Sequence, residues 1–160
     1  GMDILPSAVG HVLDDAAMQA KTLAMADAFA APVTLLLREV NAGPTLLAAA
    51  ERRGVVALSS ELGGGGRLNP QALAVTKRGV RNLLRHAGVI EGKPGGATPR
   101  RMTVPDLAHY VFVPCDGIWE AFDPLDSPVH EDAPAGLLHR IEDPLAPPIP
   151  LAYRAAGTLW

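Results

Sequence analysis

Apolar positions in the first ninety residues follow two rhythms. From Asp15 to about Ala30 they recur every three or four residues, with Met18, Thr22, Met25 and Phe29 on one face. This is the spacing of an amphipathic helix, and Asp14-Asp15 supplies a side-chain oxygen to cap its first turn. After Pro32 comes a short unbroken apolar run, Val33-Thr34-Leu35-Leu36-Leu37, which predicts a buried strand. Pro44 suits the start of a second helix over 45–53, closed by Gly54. Residues 55–62 predict another buried strand. Asn69-Pro70 pairs a cap with a proline at the first helical position. The helix it opens carries Leu73, Val80, Leu83, Leu84 and Ala87 on one face and ends at Gly88. Helices alternating with strands predict an α/β layer with a mostly parallel sheet.

Beyond residue 90 the pattern changes. Residues 1–90 hold four of the 15 prolines and residues 91–160 hold eleven. Residues 1–100 carry 11 basic and 8 acidic side chains, whereas residues 101–160 carry 3 and 9. The Gly/Pro-rich stretch 91–101 reads as a linker. It divides an α/β portion, 2–90, from a second portion, 102–160. In the latter, short apolar segments at 110–113, 117–121, 136–141 and 150–154 are separated by Asp, Pro and Gly turns, which predicts a small all-β module.

Composition narrows the function classes. The chain has 160 residues, of which 48% are apolar, enough for a packed core. A net charge of -3 weighs against nucleic acid, whose binders need a basic excess. The single cysteine, Cys115, excludes an intrachain disulfide and a Cys-rich zinc site. Gly1 ahead of Met2 reads as a tag remnant. No basic leader follows it and no apolar stretch is of bilayer length. The expectation is a soluble, cytoplasmic protein that binds no membrane.

Ser59-Ser60-Glu61-Leu62-Gly63-Gly64-Gly65-Gly66 is the most informative stretch. It sets a carboxylate at the carboxyl end of a strand, where open α/β sheets place ligands, and then a run of residues whose backbone can be closely approached. Glu61 is thereby a candidate general base or ligand. The loop is neither a P-loop nor a dinucleotide fingerprint, since Arg67, Leu68 and Asn69 follow it. The five histidines, His11, His86, His109, His130 and His139, form no His-x-x-x-His or His-Glu-x-x-His pattern. His139 to Glu142 is a His-x-x-Glu, but residues three apart on a strand face opposite ways. His130-Glu131-Asp132 reads as a solvated turn, and His86 suits a helix C-terminus. Arg78, Arg81 and Arg85 form a basic stripe. It flanks an apolar face that includes Lys77, whose amine would have to snorkel outward. Cys115, with no histidine nearby in sequence, reads as a buried or inert thiol.

Three stretches together resemble a known family. Asp3-Ile4-Leu5-Pro6-Ser7-Ala8 resembles the segment that follows the Asp-Leu-His motif of the succinylglutamate desuccinylase/aspartoacylase family. Ser60 to Gly66, with Arg78-Gly79-Val80-Arg81-Asn82-Leu83-Leu84-Arg85-His86-Ala87-Gly88, resembles its catalytic-glutamate strand and following helix. Pro114-Cys115-Asp116-Gly117-Ile118-Trp119-Glu120, with Gly136-Leu137-Leu138-His139, resembles its β module. The likeness leans toward the bacterial N-acetyl-diaminobutyrate deacetylases and spans nearly the whole chain, as the carboxyl-terminal part of the family. It implies part of a carboxypeptidase-like mixed or parallel sheet layer, followed by a small barrel-sandwich-like β module. It also implies zinc-dependent hydrolysis of small N-acyl amino acids, with zinc held by a His-x-x-Glu and a later His. Glu61 matches the glutamate that takes a proton from water and passes it to the leaving amine.

The family's early His-x-x-Glu and its Asp-Leu-His have no counterpart here, and the one His-x-x-Glu lies after Glu61. A zinc site needs three protein ligands and an open position. The expectation is therefore a family fragment, from a truncated or split gene or a deliberate cut, that binds no zinc and is inactive alone. The alternative is a non-catalytic interaction module that completes a site with a partner chain. A hydrolase using another cluster from His11, His109, His139 or Glu142 ranks last. A lysine-borne swinging arm is excluded, because Lys21, Lys77 and Lys93 all precede the module. A sheet lacking its other strands should expose Leu35-Leu36-Leu37 and 55–58 as edges, and so form a homo-oligomer through them.

Overall fold

The computed structural model describes residues 4–38, 45–66 and 69–160. The chain forms two compact units, residues 1–105 and 106–160. The first is a four-stranded sheet, β1 (Ser7–His11), β2 (Val33–Leu37), β3 (Ser59–Glu61) and β4 (Arg100–Val104), with helices α1 (Ala16–Phe29), α2 (Leu46–Glu51) and α3 (Pro70–His86). Strand order is β3-β1-β2-β4. β2 runs parallel to both β1 and β4, and β3 runs antiparallel to β1.

The helix signals act as their chemistry requires. Asp15 caps α1 by accepting from the N–H groups of Ala17 and Met18 at 2.9 and 3.0 Å. Asn69 caps α3 through Gln71 and Ala72, and Pro70 opens that helix. Thr45 caps α2 by accepting from Ala48. Pro44 lies outside the described residues. Gly88, at φ +70°, takes the left-handed conformation that ends α3. On α1 the buried positions are Thr22, Ala26, Ala28 and Phe29, while Met18 and Met25 are half-buried.

Several elements differ from the sequence expectation. Residues 7–11 form the sheet's central strand, unmarked in the sequence because Ser7-Ala8-Val9-Gly10 lacks large apolar side chains. Of 55–62, only Ser59–Glu61 is strand, and Ser59 and Ser60 are exposed rather than buried. β2 is an interior strand, so Leu35-Leu36-Leu37 is no edge; the edges are β3 and the arginine-bearing β4. Residues 100–104 hydrogen-bond beside β2 instead of ending a linker, which carries the first unit to Pro105. α3 buries Ala72, Val75, Gly79 and Asn82, not Val80 and Leu84, and Lys77 is exposed. Small residues win that face because α1 comes close: a Cβ on Gly79 would lie 2.4 Å from the Phe29 ring. The core joins Ala8, Ala26, Phe29, Ala31 and Val75, with Leu58, Leu62 and Leu83 packed against it.

The Gly/Pro-rich stretch is held down by one side chain. Asn82 is 1% exposed; its amide donates to Gly95 O at 2.6 Å and its carbonyl accepts from Gly95 N at 3.1 Å. Arg78 donates to Ala30 O at 3.0 Å, which serves the last carbonyls of α1.

The second unit is β throughout, apart from one 3-10 turn at Leu107–His109. An antiparallel sheet joins β5 (Gly117–Ala121), β7 (Pro134–Arg140) and β8 (Ile149–Ala152) in the order β5-β7-β8, and β6 (Pro128–Val129) pairs with β9 (Gly157–Thr158). Residues 110–113 are not strand. Ala135, Leu138 and Tyr153 are its buried apolar residues. Gly136 admits the Trp119 ring, which would lie 2.6 Å from an added Cβ. Among the described residues, no helix is long and apolar enough to cross a membrane.

Candidate functional site around Glu61

Glu61 ends β3, opposite Ser7 of β1. Because β3 is antiparallel, its carboxyl end lies at the amino-terminal end of the parallel strands, not outside their carboxyl ends as the sequence suggested. Glu61 is half-buried. Its carboxylate makes no hydrogen bond or ion pair among the described residues, so it is free to act on something else. Beyond it the backbone turns through Gly63, Gly65 and Gly66 at φ +108°, +67° and +66°, conformations that side chains other than glycine resist. Three of the four glycines are thus required by the turn itself. The turn leads toward the Asn69 cap of α3; Arg67 and Leu68 lie outside the described residues.

The register sets another segment beside Glu61. Ser7 is fully buried and is the first residue of β1, so residues 4–6 enter the sheet next to the end of β3. Sequence reasoning did not find this juxtaposition, since a strand of small residues gives little periodic signal.

The other candidate groups lie apart from Glu61 and are satisfied locally. His11, at the far end of β1, places Nδ1 2.6 Å from Glu51 Oε2, with both side chains largely buried. The pair borders a cleft of about 250 Å³ that Asp14, Asp15 and Met18 also line. His109 lies 2.9 Å from Asp106. That contact, then the Ala108 N–H, holds the Asp106 carboxyl below the usual carboxylate range. His139 pairs with Glu120, 2.7 Å away on the neighbouring strand, rather than with Glu142. This is the diagonal cross-strand geometry that an antiparallel pair favours. Asp132, in the His130-Glu131-Asp132 turn, sits at φ +62°. Cys115 is exposed, not buried.

No group of three or more His, Cys, Asp or Glu side chains that could hold a metal ion occurs among the described residues. The donors present do not fit a zinc centre of the kind the resemblance implies, which needs three converging protein ligands.

The family profile described as "Succinylglutamate desuccinylase/Aspartoacylase catalytic domain" matches residues 1–87. The chain belongs to this family. It is 36% identical over 157 residues to the N-alpha-acetyl-L-2,4-diaminobutyric acid deacetylase of Halomonas elongata, a match covering 96% of this chain and 45% of the relative. Among solved structures, a succinylglutamate desuccinylase/aspartoacylase from Rhodobacter sphaeroides superposes with a TM-score of 0.87 at 40% identity, over 99% of this chain and 48% of that one. The product-bound ectoine utilization protein EutE (DoeB) of Ruegeria pomeroyi superposes with a TM-score of 0.88 at 33% identity, over 98% and 48%. This desuccinylase/aspartoacylase-family chain therefore spans about half the length of the relatives it matches. Its mixed sheet and following antiparallel sheets are shared with them across almost every residue.

Proposed function

We propose that this chain is the carboxyl-terminal part of a deacylase of small N-acyl amino acids, that Glu61 is its proton-transfer carboxylate, and that the chain alone does not hydrolyse amides. The observation that supports this most directly is the pairing of Ser7 with Glu61. In the family, the residues matching 3–8 follow the Asp-Leu-His motif. The pairing therefore brings the backbone leading from that motif to the side of Glu61. A half-buried carboxylate with no internal partner is suited to accept a proton from water and release it to a leaving amine. Inactivity of the isolated chain follows from the donor set: a carboxylate alone neither polarises an amide carbonyl nor lowers the pKa of a water.

The test uses the purified chain with and without the amino-terminal half of the Halomonas elongata deacetylase, in the presence of zinc. The chain alone should release no acetate from N-acetyl-diaminobutyrate. The reconstituted pair should release it, and Glu61→Gln should abolish that activity while the pair still co-purifies. Turnover by the lone chain refutes the inactivity, and turnover by the Glu61→Gln pair refutes the role of Glu61.

A further inference from the structure

The two units carry opposite charge, and each exposes an apolar face. Residues 1–105 hold 12 Lys and Arg against 8 Asp and Glu, and residues 106–160 hold 2 against 9. In the first unit, Val80 and Leu84 stand one helical turn apart on the outer face of α3, 50% and 39% exposed. Val89 and Ile90 follow, 67% and 39% exposed. The Val89 N–H donates to Leu84 O at 2.9 Å, which fixes these residues beside the helix end. Lys77 and Arg81 belong to the same face by their spacing and are exposed. In the second unit, β5 turns Ile118 and Phe122 outward, 65% and 50% exposed, and Ile141 follows β7 at 62%. Glu142 and Asp143 come next and are exposed. None of these four charged side chains has an ion-pair partner among the described residues.

Contiguous exposed apolar surface on a soluble domain marks an interaction site, and charge selects its partner. A basic apolar face and an acidic apolar face on one polypeptide complement each other between copies. We propose that this chain self-associates into a two-fold dimer, in which the α3 face of each copy meets the β5–β7 face of the other. Two-fold closure uses the contact twice, which helps a modest patch approach the roughly 1,200–2,000 Å² of a stable interface. It assigns the oligomer to these faces instead of to the sheet edges, where β3 is three residues long and β4 begins with Arg100 and Arg101. The inference is independent of the role of Glu61.

Light scattering on the intact chain tests it. Wild type should run at twice the 16.7 kDa chain mass, and its dissociation constant should rise with salt as the charges are screened. Lys77→Glu with Arg81→Glu should weaken the dimer about tenfold or more, as should Glu142→Lys with Asp143→Lys in a separate protein. Each reversed protein alone sets like charge against like in both contacts. Mixed, they restore opposite charge in both, so the mixture should recover a dimer containing one of each. Unchanged circular dichroism verifies that the variants fold, and the salt series on wild type stands without them. A monomeric wild type at about 100 µM, a dimer indifferent to both reversals, or a mixture that stays monomeric overturns the proposal. So does a monomer that instead binds anionic vesicles through Lys77 and Arg81.

Discussion

Gly79→Ala sets two opposing effects against each other on one helix. Alanine in a helix interior is favoured over glycine by about 1 kcal/mol, so on an open face the change would stabilise α3. Here the new Cβ would lie 2.4 Å from Phe29 Cε2 and 2.6 Å from both Cδ2 and Cζ. Carbon atoms settle at about 3.5–4.0 Å, so roughly 1 Å of separation has to be created. Phe29 is 6% exposed and shares its cluster with Ala8, Ala26, Ala31 and Val75, which leaves the ring no adjacent space. Overpacking of this kind costs about 1–3 kcal/mol. With so short a contact the upper part of that range applies, and the expected net loss is about 1–2 kcal/mol. Urea denaturation followed by circular dichroism measures it. Phe29→Leu should be destabilising alone, yet should relieve the clash, so the double variant should be more stable than the sum of the singles by about 1 kcal/mol or more. A neutral or stabilising Gly79→Ala, or strict additivity with Phe29→Leu, would refute the claim that glycine is needed there for helix approach.

Asn82→Ala removes both hydrogen bonds to Gly95 and should cost about 2–3 kcal/mol, with amide exchange at 91–97 accelerating. Glu61→Gln should leave the unfolding midpoint within about 0.5 kcal/mol of wild type, as expected of a surface-accessible group without a partner; a larger loss would mean Glu61 is structural. Burial, then the hydrogen bond donated to Asp123 at 3.0 Å, raises the Tyr153 pKa to about 12. The folded second unit thus keeps a proton that the unfolded chain loses near the reference value of about 10. Stability should be complete below that value and fall as pH rises through the window up to about 12. Tyr153→Phe should flatten the slope, measured by denaturant titrations at stepped pH. Glu51→Ala strips His11 of its partner and should cost about 1–3 kcal/mol, with faster amide exchange in α2.

The local sequence was enough for whatever depends on neighbours in the chain. Asp15, Thr45 and Asn69 cap their helices because the groups they satisfy lie two or three residues on. Gly88 ends α3, and Gly63, Gly65 and Gly66 make a turn that few other residues could. The run 33–37 is a strand because nothing else suits five large or β-branched apolar residues after a proline. The motif likeness also marked Glu61 and the family. Only the tertiary structure decided which strands are neighbours and in which direction they run. β3 joins antiparallel and at an edge, so Glu61 lies beside the entry of β1. β1 itself is central although its residues are small, because its burial comes from the helices and strands around it. α3 turns its small face inward because α1 approaches closely enough to exclude side chains at Gly79, and this leaves Val80 and Leu84 outside. His11 with Glu51, 40 residues apart, and His139 with Glu120, 19 apart, are partners that no sequence period encodes. Such pairings depend on the packing of distant segments, and periodicity along one segment carries no record of them.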